Sequence, residues 1–188
     1  DFATDVAMWG AHTVAQALAG LDMTKVSFIE FEYAGPDATM VTRLSNGVKL
    51  VLFRVTGSVW EPCQYWHGAC GERFEGPAGW VGAADGYTKP DVSSPALLEE
   101  YRKVVAEYTV RTQRPMNHVR DFLDCIRSRR SPVANPEVMY RSMSICLAAD
   151  ICERLKRSLK FDLRQVEFVS DGEANRMRSR AMRAPYTG

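Results

Sequence analysis

Apolar and polar positions alternate with two different periods along this chain. From Asn117 to Ser158 the period is helical. Val119, Phe122, Leu123 and Ile126 recur at i, i+3, i+4 and i+7 and form one apolar stripe. Asn117 is placed to cap that helix, Asp121 lies in its first turn, and Ser131-Pro132 stops it. Asn135 then caps a second helix. Pro136 takes its first position and Glu137 follows at the positive end of the dipole. The second stripe, Val138, Ser142, Ile145, Cys146, Ala149, Cys152 and Leu155, is narrow and rich in small side chains. A stripe of that kind predicts a close neighbour, namely a sheet.

The material for a sheet precedes it. Asp1 to Leu21 reads as a helix, capped by Thr4 or Asp5 and ended by Gly20, with Val14, Ala17, Leu18 and Leu21 on its apolar side. Lys25 to Tyr33 then alternates and is rich in β-formers. Thr39 to Leu44 and Val48 to Val55 follow as strands around Ser45-Asn46-Gly47, where Asn-Gly predicts a type I′ hairpin turn. Glu72 to Phe74 and Trp80 to Val81 flank Gly76-Pro77-Ala78-Gly79 as a second hairpin. Pro95 to Val105 predicts a helix; Glu107 to Arg111 could extend it or open a strand. Leu159 to Phe161 and Val166 to Val169 read as short strands, and Asp171 caps a last polar helix. The expected fold class is α+β: a largely antiparallel open sheet, with the helices packed on one face, in one domain spanning 1–188.

Strands 26–33 and 48–55 carry apolar groups on both parities, whereas a sheet with one solvated face should alternate hydrophobic-in and polar-out. The second face is therefore expected to meet another copy, as a homodimer or homotetramer. Composition adds little: 46% hydrophobic and 25% charged residues suit a globular domain, and a net charge of +1 gives no reason to expect nucleic acid. Arg127, Arg129, Arg130 and the run from Arg176 to Arg183 read as solvated helix ends and a basic tail. No apolar run approaches membrane-spanning length. Five cysteines, three of them on helical faces, suit a reducing compartment and a cytoplasmic location. The chain starts at Asp1 without a methionine, which reads as a fragment whose targeting segment, if any, lay upstream.

Candidate chemistry is sparse. A dinucleotide fingerprint needs G-x-G-x-x-G between a strand and a helix. Gly76, Gly79 and Gly82 have the wrong spacing and fall in a hairpin, so no cofactor site is expected in this chain. Cys63, His67 and Cys70 have zinc-like spacing without a fourth ligand. Trp60, Tyr65, Trp66 and His67 could stack on a sugar or fill a subunit interface, and the interface is favoured. His118 with Arg120 and Asp121 reads as a helix start.

Several separated stretches agree, in order, with one family. HVRDFLDCIRSRRSPVANPEV, the small-residue helix after it, FVSDGEANRMRSRAMRAPY, GERFEGPAGWV and Trp9-Gly10-Ala11-His12 resemble the carboxy-terminal half of Gfo/Idh/MocA oxidoreductases. The resemblance implies an NAD(P)-dependent parent acting on sugars, sugar derivatives or polyols, with the cofactor held by a Rossmann domain outside this chain. That absent half would also carry the lysine of the family's Glu-Lys-Pro motif. It further implies that His12 is the acid/base group of a substrate-site helix, with Asp5, Trp9 and Thr13 as substrate contacts. Imidazole suits that role, because the hydroxyl must lose a proton as hydride leaves. The family's Asp-x-x-x-His pair is broken here: Met8 stands where the aspartate would be, and Asp5 is its only substitute nearby. A non-catalytic carbohydrate-binding or assembly module therefore stays open, as does an NAD-dependent glycosidase of the same superfamily.

Overall fold

The computed structural model describes residues 9–21, 23–35, 40–52, 71–84, 90–179 and 184–185. Two compact units emerge, Asp1–Arg54 with Arg141–Gly188, and Val55–Tyr140.

The first unit is built on a five-stranded antiparallel sheet. Its strands are β1 (Phe28–Glu32), β2 (Met40–Leu44), β3 (Lys49–Leu52), β7 (Leu159–Asp162) and β8 (Glu167–Phe168), in the order β3-β2-β1-β7-β8. Register follows the pleat. Ile29 faces Leu44 on one side and Phe161 on the other, and Phe31 lies between Thr42 and Leu159. These residues, with Met40 and Phe168, make one buried face. Helix α1 (Gly10–Ala19) adds Ala11, Val14 and Leu18 to the same core, and helix α4 (Pro136–Leu155) adds Ile145, Cys146, Ala148, Ala149, Ile151 and Cys152. The small-residue stripe thus sits against a sheet, as its narrowness predicts. Small side chains allow close approach, and wholly buried Ile145, Cys146 and Cys152 leave no room for larger ones.

The opposite sheet face carries Phe28, Glu30 and Glu32 from β1, and Val41 and Arg43 from β2. Lys49 and Val51 of β3 and Lys160 of β7 share that face. Glu30 pairs with Lys160 at 3.1 Å, and the Lys160 ammonium also lies 3.6 Å from the centre of the Phe28 ring. Arg43 pairs across to Glu32. The hairpin between β2 and β3 forms where Asn46-Gly47 places it, but its turn differs from type I′. Gly47 N–H donates to Leu44 O, so Ser45 and Asn46 are the central residues, and the positive φ falls on Gly47 at +90°. A three-residue loop of this kind needs only its last residue left-handed.

After β8, helix α5 (Gly172–Arg176) is capped by Asp171, whose Oδ1 accepts from Ala174 N–H at 2.9 Å. Arg157 reaches the same carboxylate at 2.9 Å. The Ala174 amide, then Arg157, hold the Asp171 carboxyl below its ordinary range against the opposing effect of burial.

The second unit contains a three-stranded antiparallel sheet of β4 (Gly71–Gly76), β5 (Gly79–Ala84) and β6 (Asp91–Val92). Gly79 at φ +125° makes the β4–β5 turn possible, and Ser93 Oγ accepts from Trp80 N–H at 2.9 Å beside it. Helix α2 (Pro95–Thr112) is capped by Ser94. It runs on through Glu107 to Arg111, which settles the ambiguity in that segment in favour of helix. Helix α3 (His118–Ser128) starts at Asn117, whose Oδ1 accepts from Arg120 N–H at 2.9 Å.

The apolar stripe of α3 does not enter a core. Val119 is 68% exposed and Phe122 54%, with Leu123 and Ile126 close to half exposed. The buried side carries Asp121 and Cys125 instead. Asp121 accepts from Arg114 Nη1 and from Val133 N–H, each at 2.9 Å, and Arg114 Nη2 donates to Ser131 O at 2.9 Å. One carboxylate therefore fastens the end of α2 and the proline turn to α3. The helix faces the way its polar tie requires.

Candidate functional site

Helix α1 has two faces of different chemistry. Ala11, Val14, Ala17 and Leu18 are buried. The other face presents Trp9, His12, Thr13 and Gln16 at helical spacing, with Trp9 60% exposed and His12 also exposed. The fold brings together three of the four residues expected at the site: Trp9, His12 and Thr13. Asp5, the fourth, and Met8 lie outside the described residues.

Three contacts of this face lie within the helix itself. Thr13 Oγ1 donates to Gly10 O at 3.2 Å, the usual back-bond of a helical threonine. Trp9 opens the helix as its N-cap without a side-chain cap bond, and its carbonyl accepts from His12 N–H at 3.2 Å. The contact that sequence reading did not single out is Gln16, whose Nε2 lies 3.3 Å from His12 Nε2. Its i+4 spacing from the histidine was the available signal. Chemically, the face offers a flat aromatic ring, a titratable imidazole and an amide.

Other candidates resolve differently. Gly76, Gly79 and Gly82 lie on the antiparallel strands β4 and β5, not at a strand-to-helix turn, so they do not cradle a pyrophosphate. Among the described residues no group of three or more His, Cys, Asp or Glu gathers as metal ligands would. Cys63, His67 and Cys70, with the aromatic cluster Trp60, Tyr65 and Trp66, lie outside them. Arg130 and Arg178 donate to the carbonyls of Gln113 and Val166, which makes them structural ties. Arg180 and Arg183 lie outside the described residues. A shallow hollow of about 240 Å³ lined by Phe122, Cys125, Ile126, Arg129, Arg130 and Pro132 borders the Asp121 tie. No helix among the described residues is long and apolar enough to cross a membrane.

Three cysteines, Cys125, Cys146 and Cys152, are free and buried. Burial pushes the Cys146 thiol up to about 12 and the Cys152 thiol up to about 11. Neither behaves as a nucleophile near neutral pH, because the thiolate is the reactive form.

No curated protein and no solved structure matches the chain. A family described as "Oxidoreductase family, C-terminal alpha/beta domain" matches residues 47–188. That span covers β3 through α5, and with it the β4–β5 hairpin and the α2–α4 helices; α1 precedes it. With the antiparallel sheets and capped helices in place over these residues, the chain belongs to the Gfo/Idh/MocA oxidoreductase family, as its carboxy-terminal α/β domain.

Proposed function

We propose that this chain is the substrate-binding and oligomerisation half of an NAD(P)-dependent oxidoreductase acting on sugars, sugar derivatives or polyols. The observation that carries the reading is the outward face of α1, where an exposed indole and an imidazole stand side by side on a helix that precedes the span matched to the family. The cofactor, held elsewhere in the parent protein, supplies the hydride acceptor. This chain's residues do the rest. Trp9 offers a surface for the sugar ring, Thr13 a hydroxyl, and His12 takes the proton of the hydroxyl being oxidised. Two copies meet through the outer face of the five-stranded sheet. There Phe28, Val41 and Val51 lie among charge pairs of both signs, a pattern that a twofold axis can match to itself.

The second reading is a carbohydrate-binding or assembly module without catalysis. The sequence favours it at one point: Met8 occupies the family's aspartate position and can neither take up a proton nor orient His12. One experiment separates the two. In the full-length protein, assayed for NAD(P)-linked oxidation of sugars and polyols, His12→Ala should lower kcat by on the order of 10²–10⁴ with little change in KM. Turnover that survives His12→Ala intact would end the acid/base assignment.

A further inference from the structure

We infer that Asn46 is a site of covalent modification by deamidation, and that the β2–β3 turn holds the reaction back while the hairpin is closed. The only co-reactant is water. The Gly47 nitrogen gives up its proton and bonds to Asn46 Cγ, the Cγ–Nδ2 bond breaks, and ammonia leaves with the proton. The succinimide ring so formed then takes up water at one of its two carbonyls. Opening at Cγ leaves aspartate. Opening at the main-chain carbonyl leaves isoaspartate, with the chain routed through what was the side chain. The position favours the attack in two ways. Asn46 and Gly47 are both exposed. Glycine sets no side chain beside the attacking nitrogen, and the space where a Cβ would stand is open for 4 Å.

The closed turn works against it. Gly47 N–H donates to Leu44 O at 2.9 Å, so the proton that must leave is engaged. Asn46 Oδ1 accepts from Val48 N–H at 3.2 Å, which ties down the carboxamide under attack. Ring closure also requires Gly47 N to swing toward Asn46 Cβ. Asn46 has no positive φ, as in a type I turn, whose third residue has ψ of about 0°. Rotating that ψ carries Gly47 N away from Leu44 O, so the turn opens before it reacts. Leu44 N–H donates to Val48 O at 2.9 Å on the other side of the loop. Isoaspartate adds a methylene to the main chain inside that loop and spoils its closure. Strand β3 lies at the sheet edge, bonded to β2 alone, and its Leu50 and Leu52 pack on the core. A transient opening of the turn is thereby converted into a permanent loosening of the edge strand.

Trypsin cuts after Arg43 and Lys49 and releases the segment Leu44–Lys49 from the incubated full chain. Chromatography with mass spectrometry then separates its asparagine, aspartate and isoaspartate forms. The reference is the synthetic peptide of the same sequence, held at the same pH and temperature. The free peptide should convert roughly tenfold or more faster than the folded chain, because two net hydrogen bonds must open before the chain reacts. In urea above the unfolding transition, chain and peptide should convert at the same rate. Val48→Pro deletes the N–H that ties Asn46, and its chain, where circular dichroism shows it folded, should come roughly threefold closer to its own synthetic peptide. Asn46→Gln should abolish conversion in this segment. An unfolded chain that yields no aspartate or isoaspartate at position 46 overturns the site. A folded wild type that converts as fast as the peptide, or a folded Val48→Pro chain no faster than wild type, overturns the restraint by the turn.

Discussion

Cys146 should make the first unit sensitive to alkali, and the size of the effect follows from its burial. The side chain is wholly enclosed on α4 against the sheet, and its thiol is pushed up to about 12 from an ordinary 9.0. In the unfolded chain the same thiol ionises at its ordinary value. Below pH 9 both states hold the proton and no stability is lost. Above it the unfolded state gives up a proton that the folded state keeps, so stability falls as pH rises until the folded thiol ionises near 12. Each pH unit in that window costs about 1.4 kcal/mol, and between pH 8 and 10.5 the loss amounts to about 2 kcal/mol. Lysine and tyrosine side chains titrate in the same range, so the measurement is a difference. Urea unfolding of wild type and Cys146→Ala is followed at half-unit steps from pH 8 to 10.5. The alanine variant begins less stable, because it leaves a small cavity, and that offset does not depend on pH. The gap should close by about 2 kcal/mol across the series. Parallel stability curves would refute the reasoning, since they would mean that the folded state tolerates the thiolate.

Asp121→Ala should loosen the junction of α2, α3 and the proline turn, and Asp121→Asn less so, measured as lowered urea midpoints of the helical signal; unchanged midpoints would contradict the tie. Val133 N–H, then Arg114, hold this carboxyl below its ordinary range against burial. Its contribution should therefore be present above about pH 4 and lost as pH falls through the depressed value. Gly79→Ala should destabilise the β4–β5 hairpin by more than about 1 kcal/mol, because φ +125° is strained for alanine and its methyl would meet Ser93 Oγ; a neutral thermal melt would contradict the turn. Sedimentation at micromolar concentration should find a dimer or tetramer that Val41→Lys, on the outer sheet face, weakens; a monomeric wild type would remove the interface.

Much of the first unit was legible because local and tertiary signals agree there. The α4 stripe, the Asn-Gly hairpin and the Asp171 cap each follow from a few neighbouring residues, and packing overrides none of them. Periodicity failed at α3 in an instructive way. It located the stripe Val119, Phe122, Leu123 and Ile126 correctly, but a stripe does not say what covers it. The direction α3 faces is set by Arg114, seven residues before Asp121, and by the amide of Val133, twelve after. No single helical period spans both. The type of the 45–47 turn was missed for a smaller reason. Asn-Gly tolerates two left-handed residues, and the closed ladder from Leu44 to Val48 uses only one.

The site was legible to the extent that one helix face can be read from spacing. Trp9, His12 and Thr13 sit together because 3.6 residues per turn puts them there. Gln16 belongs to the same face by the same arithmetic, and it was overlooked because the family pattern directs attention N-terminally, to position 8. The two positions are not chemically equivalent. A carboxylate beside an imidazole favours the charged ring and so ties the partner to one protonation state. An amide carries a donor and an acceptor and can hold the neutral and the charged ring in turn. The Gln16 amide, 3.3 Å from His12 Nε2, is thus no copy of the carboxylate that methionine replaces in the family pattern. What methionine at position 8 lacks, next to that pattern, is the carboxylate's bias toward imidazolium.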